Sequence, residues 1–206
     1  MSTIRNTTRT RRSWRRAIRG AVLLTGLLGG VAALGASAVA ASAAPQTVTA
    51  GTVRAISSFY DPYTGDGSGG SLHVFSATAS GVWETYWKNV GGAKTTGKIN
   101  NLAGVTAVSS CYDPYTGEGS GGTLHVFSAT PSGVWETYWD NVGGAKTTVK
   151  VNNLAGVRAI SSFYDSYTGD GSGGSLHVFS ATPSGDWETY WHNLPSGKTT
   201  GQINNL

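Results

Sequence analysis

Three sets of side chains with useful chemistry recur at a spacing of 52 residues: His73, His125 and His177; Glu84, Glu136 and Glu188; Trp87, Trp139 and Trp191. An indole offers a flat apolar face with a polar edge, which suits the C–H side of a pyranose ring. A carboxylate accepts two sugar hydroxyls at once in charge-assisted hydrogen bonds, and an imidazole donates or accepts beside it. The combination points to carbohydrate. A second tryptophan set, Trp83, Trp135 and Trp187, stands four residues before the first and on the same side of an extended chain. Glu84 falls on the opposite side, so a pocket holding both Trp87 and a carboxylate must draw on two neighbouring copies. The plainer alternatives are that the tryptophans are core, Trp83 more so than Trp87, and that each histidine is a packing residue with a satisfied ring. Catalysts bring one set of unlike groups to one point, whereas identical weak sites multiply into avidity. Triplication therefore favours a binding protein over an enzyme.

These side chains sit in three near-identical copies, at residues 53–104, 105–156 and 157–206, opened by Val53, Val105 and Val157. Copy two departs from copy one at Thr106, Cys111, Glu118 and Asp140 among other positions. Copy three departs at Ser166, Asp186, His192 and the stretch Leu194-Pro195-Ser196-Gly197, among others. Alternation with period two predicts strands over Val53–Tyr60, Leu72–Thr78 and Val82–Trp87, with a weaker one over Lys98–Leu102. Between them lie turn signals: the loop Asp61–Gly70, Ala79-Ser80-Gly81, and Asn89–Ala93. No helical period with caps occurs in the repeats. Each copy carries about four short strands, the content of one β-propeller blade.

The hairpin Leu72-His73-Val74-Phe75-Ser76-Ala77-Thr78 followed by Gly81-Val82-Trp83-Glu84-Thr85-Tyr86-Trp87 resembles the blade core of bacterial lectin-like β-propellers, the tectonin-like and fucose-binding families. Asp61-Pro62 before the hairpin and the link Asn101-Leu102-Ala103-Gly104 fit the same pattern. The resemblance covers all three copies and implies sugar sites between adjacent blades. It also implies an arginine in each copy for fucose, a part open to Arg54 and Arg158, while Thr106 holds the middle position. Three blades are too few to close a propeller ring, which takes four to eight. The expected all-β architecture is therefore three four-stranded blades per chain, closed into a six-bladed propeller by a head-to-tail homodimer. A β-trefoil is the alternative with the same number of strands.

Composition sets the remaining bounds. Seven arginines crowd residues 1–19 without an acid, an apolar stretch runs from Ala21 to about Val39, and Ala41-Ser42-Ala43 is a small-x-small cleavage signal. Residues 1–43 are thus an expected export signal, of twin-arginine type through Thr10-Arg11-Arg12-Ser13-Trp14 or an ordinary secretory one, and 44–52 a short leader. The many glycines make a permanent membrane anchor the weaker reading of this stretch. Beyond it remain two arginines and six lysines against eleven acids, so the basic balance of the whole chain belongs to the signal and nucleic acid drops out as a partner. Cys111, the single cysteine, stands where the other copies have Phe59 and Phe163 and reads as a buried apolar group. The Asp61–Gly70 loop has acids and hydroxyls compatible with calcium but matches neither an EF-hand nor the nonapeptide calcium repeat. Two arginines are too few for a sialidase cluster, and no nucleophile elbow occurs. The expectation is a secreted, non-catalytic, multivalent carbohydrate-binding protein without an obligatory cofactor. A protein–protein or cell-surface module is the second reading, and a glycoside hydrolase the least favoured.

Overall fold

The structure is a computed structural model that describes residues 52–62, 70–89, 91–115, 122–140, 144–166, 174–192 and 197–205. The export signal, its cleavage after Ala43 and all of the leader but Thr52 lie outside the described residues, as does most of the loop considered for calcium. Among the described residues no helix is long and apolar enough to cross a membrane.

Each copy folds into one four-stranded antiparallel sheet. Blade one holds β1 (Ala55–Asp61), β2 (Ser71–Thr78), β3 (Gly81–Trp87) and β4 (Lys94–Asn100). Blade two holds β5 (Ala107–Asp113), β6 (Thr123–Thr130), β7 (Gly133–Asp140) and β8 (Thr147–Asn152). Blade three holds β9 (Ala159–Asp165), β10 (Ser175–Thr182), β11 (Gly185–His192) and β12 (Lys198–Gln202). Strands pair in chain order and only within their own copy. The three separate sheets are blade-like and leave no place for the β-trefoil alternative, whose repeats share strands around a common barrel.

The β2–β3 turn shows why the sequence folds this way. Thr78 Oγ1 donates to the Gly81 carbonyl at 3.0 Å and accepts from the Ser80 amide at 3.3 Å. Gly81 has φ 135°, and a side chain there would collide with the Asn100 carbonyl. Only glycine meets both demands without strain, and Gly133 and Gly185 repeat the arrangement. The fourth strand starts four residues earlier than its sequence pattern predicts. Thr95 and Thr96 pair with Tyr86 and Thr85, and a Thr85–Thr96 hydroxyl contact of 3.0 Å joins the two strands on the surface. As an exposed outer strand it carries no hydrophobic alternation to announce it. One extra residue bulges where Val82 pairs with Asn100 and Trp83 with Lys98, and it turns Ile99 inward.

Register assigns every side chain to one of two faces. One face of blade one, here called trailing, presents Ala55, Ser57, Phe59, His73, Phe75, Ala77, Val82 and Glu84. The opposite, leading face of blade two presents Val108, Ser110, Tyr112, Leu124, Val126, Thr137 and Trp139. The two faces pack against each other, and blades two and three repeat the contact. The innermost strands β1, β5 and β9 lie side by side. There Ser57 meets Ser110 and Ser109 meets Ser162, each pair of hydroxyls 2.8 Å apart. Farther out, Asn100 accepts from the Val82 and Leu102 amides through Oδ1 and donates across the seam to Thr137 Oγ1 at 2.9 Å. Asn152 does the same with Thr189 at 3.0 Å. The core therefore lies in two seams between blades. Cys111 is buried in the second, and burial pushes its thiol pKa well above the ordinary range.

Candidate functional site: the seams between blades

Each seam holds a histidine–glutamate pair on its trailing wall. His73 stands opposite Tyr86 in the β2–β3 register, so Glu84 is its diagonal neighbour on the same face. His73 Nδ1 lies 2.8 Å from Glu84 Oε1, His125 Nδ1 2.6 Å from Glu136 Oε1, and His177 Nδ1 2.7 Å from Glu188 Oε1. An ionised carboxylate only accepts, so the ring donates from Nδ1. The imidazole is sandwiched between rings: Phe59 at 5.0 Å and Tyr86 at 5.7 Å, both nearly parallel to it. In this packing the carboxylate fixes the orientation of the His73 ring. Each Nε2 is buried and has no hydrogen-bond partner.

The neighbouring copy supplies the other wall. Trp139 from blade two meets Phe75 of blade one edge-on at 6.1 Å, and Trp191 meets Phe127 at 6.2 Å. Trp139 is 1% exposed. The copies do bring a tryptophan beside the glutamate of the preceding blade, as two-copy pockets require. Yet the ring has no open face, because it fills the seam. Trp139 and Trp191 are both packed inside the seams. Trp87 keeps a partly open ring, and among the described residues no blade packs on its side of blade one. The set expected to be core, Trp83, Trp135 and Trp187, is instead partly exposed at the seam edge, with Lys98 at 5.8 Å from the Trp83 ring and Lys150 at 5.6 Å from that of Trp135.

The glutamates differ from expectation too. Glu84 and Glu136 are buried, and one oxygen of each is held by histidine. The second oxygen of Glu84 faces Lys146 of blade two, whose Nζ is 3.9 Å away and 4.8 Å above the Trp139 ring. A bidentate grip on two sugar hydroxyls by Glu84 is therefore not available in the closed seam. Lys146, which the sequence reading passed over, is the polar group that remains part-exposed there. Its only signal is its recurrence as Lys94 and Lys198. Arg54 and Arg158 are exposed, and their amides donate to Ala77 and Ala181 at 2.9 Å, at the far end of the blade. The row carrying Trp87 lies six residues farther along β1, about 20 Å. The structure does not gather the arginines with the other candidates.

The mouth of the seam, where the β1–β2 type of loop emerges, is aromatic. Tyr115 is 65% exposed and its ring lies 6.0 Å from Tyr164 of blade three. Asp113 Oδ1 accepts from the Tyr115 amide at 2.8 Å and fixes where the loop leaves the strand. Tyr63 and Tyr167, which repeat Tyr115, lie outside the described residues. Among the described residues no group of three or more metal-ligating side chains occurs.

No family model and no curated protein matches this chain. Solved structures do. A mutant of AofleA from Arthrobotrys oligospora, with three arginines replaced by alanine, matches with a TM-score of 0.50 and 17% identity, over 72% of this chain and 42% of its own. A leech intramolecular trans-sialidase complexed with 2,7-anhydro-Neu5Ac matches at TM-score 0.47 and 15% identity, over 69% of this chain and 23% of its own. An intramolecular trans-sialidase from Ruminococcus gnavus in complex with oseltamivir carboxylate matches at 0.45 and 14%, over 69% and 32%. The chain thus spans less than half of each. The AofleA likeness is one of fold, and it places the three sheets with β-propeller structures.

Proposed function

We propose that this is a secreted, non-catalytic, multivalent carbohydrate-binding protein, a half-ring of three lectin-like blades that a second copy completes to six. The seam mouth carries the reading. An exposed tyrosine ring, held against a second tyrosine from the next blade, offers the flat amphipathic surface on which a pyranose stacks. The part-exposed lysine at the same kind of seam supplies hydrogen-bond donors to hydroxyls. The sequence repeats Tyr115 as Tyr63 and Tyr167 and Lys146 as Lys94 and Lys198, a multiplicity through which modest sites act together. The buried His–Glu pairs and tryptophans hold the two walls in place and leave binding to the mouth.

A glycan array probed with the mature chain, residues 44–206, tests this with and without calcium. Binding to at least one glycan class, lost in Tyr115→Ala at unchanged melting temperature, is the expected outcome. Absence of binding to every glycan in both conditions removes the reading. The open end faces of blades one and three favour one further partner, a second copy of the chain.

A further inference from the structure

The end faces of the chain are complementary by construction. On blade one, Phe75, Ala77, Val82 and Ile99 belong to the cluster that buries Val105 of the next copy, and on blade two their equivalents bury Val157; the two valines are 0% and 4% exposed. On blade three the equivalent residues Phe179, Ala181, Asp186 and Ile203 instead line an open hollow of about 270 Å³. At the other end of the chain Val53, which repeats Val105 and Val157, is 54% exposed. Ile56 is 66% exposed where its equivalent Val108 is 7% exposed, and Ile203 is 53% exposed where Ile99 is 6%. Among the described residues, blade three thus presents an empty socket and blade one the matching plug. Leaving both in water is costly for a soluble protein.

One residue breaks the match. Asp186 stands where Val82 and Val134 are fully buried. Its carboxylate accepts from Asn204 Nδ2 at 2.8 Å. In the other blades that asparagine amide crosses the seam to Thr137 or Thr189. A carboxylate on this wall must be taken out of water between apolar groups when the seam closes, and that is unfavourable without a counter-charge. On the leading face Lys98 lies over its own Trp83 ring, and Arg54 is exposed at the end of the blade, its amide held by the Ala77 carbonyl.

We infer that Val53 of a second copy fills the hollow on blade three, and that Asp186 makes these closing seams the weak joints of the ring. The inference rests on the proposed six-bladed assembly and deepens it. The internal seams are permanent, whereas the two closing seams open and shut with concentration. Closure completes the third site as well. Trp87 and Lys94 of the second copy come to His177 and Glu188, as Trp139 and Lys146 come to His73 and Glu84. Ser58 comes to Ser161, and Thr85 to Asn204.

Sedimentation velocity across a dilution series of the mature chain reads this directly, in wild type, Asp186→Val and Val53→Asp. The wild type is expected to be a dimer that dissociates on dilution. Asp186→Val, relieving two seams per ring, is expected to lower the dissociation constant about tenfold or more. Val53→Asp, at an exposed position, is expected to give a monomer with unchanged circular dichroism. A wild type that stays monomeric at every concentration overturns the ring itself. A dimer whose dissociation constant is unchanged or raised by Asp186→Val overturns the weak joint alone. A Val53→Asp chain that still dimerises overturns the plug and socket.

Discussion

Trp139 inside the first seam and Tyr115 at the mouth of the second show two different parts of a seam. The tryptophan is enclosed and the tyrosine exposed, so their removal has opposite consequences. Trp139→Ala leaves a cavity between blades and is expected to destabilise the fold by about 3–5 kcal/mol, read as a lower midpoint in chemical denaturation. Tyr115→Ala is expected to keep the midpoint and lose glycan binding. Cys111 gives a test of seam closure. Burial raises its thiol pKa, so the thiolate is scarce at neutral and mildly alkaline pH and the group is shielded. Labelling with a thiol reagent at pH 8 is expected only once denaturant opens the seam, and prompt labelling of the folded chain contradicts the burial. These assignments also mark where the sequence stops being informative. Alternation put Trp83 and Trp87 on one side of their strand, which is correct. It carries no record of which part of that side the next blade covers. The sequence sets histidine beside glutamate at a sugar; that the two bond each other instead depends on a diagonal register that only the folded hairpin defines.

At the scale of elements, the hairpin β2–β3 and the outer strand depend on a few polar positions. Asn152 ties β8 to β7 and crosses to blade three. Asn152→Ala removes those bonds inside a seam and is expected to cost about 1–3 kcal/mol, measured by thermal or denaturant unfolding. Replacement by aspartate is expected to cost more, since it adds a charge and loses the donor. An Asn152→Ala chain as stable as wild type contradicts the role given to this side chain. The hairpin strands were legible because apolar and polar residues alternate in them. The fourth strand was only half legible. Thr95, Thr96 and Gly97 are exposed, and they pair through backbone and hydroxyl groups that leave no hydrophobic pattern. Arg54 and Arg158 were placed with the binding residues through a family likeness, and the register sets them at the other end of the blade.

For the whole molecule, the repeat number decides most. Among the described residues three copies give three sheets, two internal seams and two end faces against which no further blade packs. The blade count per chain was readable from the period. The burial of the seam walls was not, because a face is buried only when another blade arrives. The same physics accounts for the exposed Val53 and Ile56 and for the open hollow beside Asp186. The central claim is that the seam mouths bind sugar. The most direct measurement is a glycan array on the mature chain, run in parallel with Tyr115→Ala and with and without calcium. The account predicts selective binding by the wild type and its loss in a variant of equal melting temperature. No binding by the folded wild type under either condition, or equal binding by the variant, contradicts it.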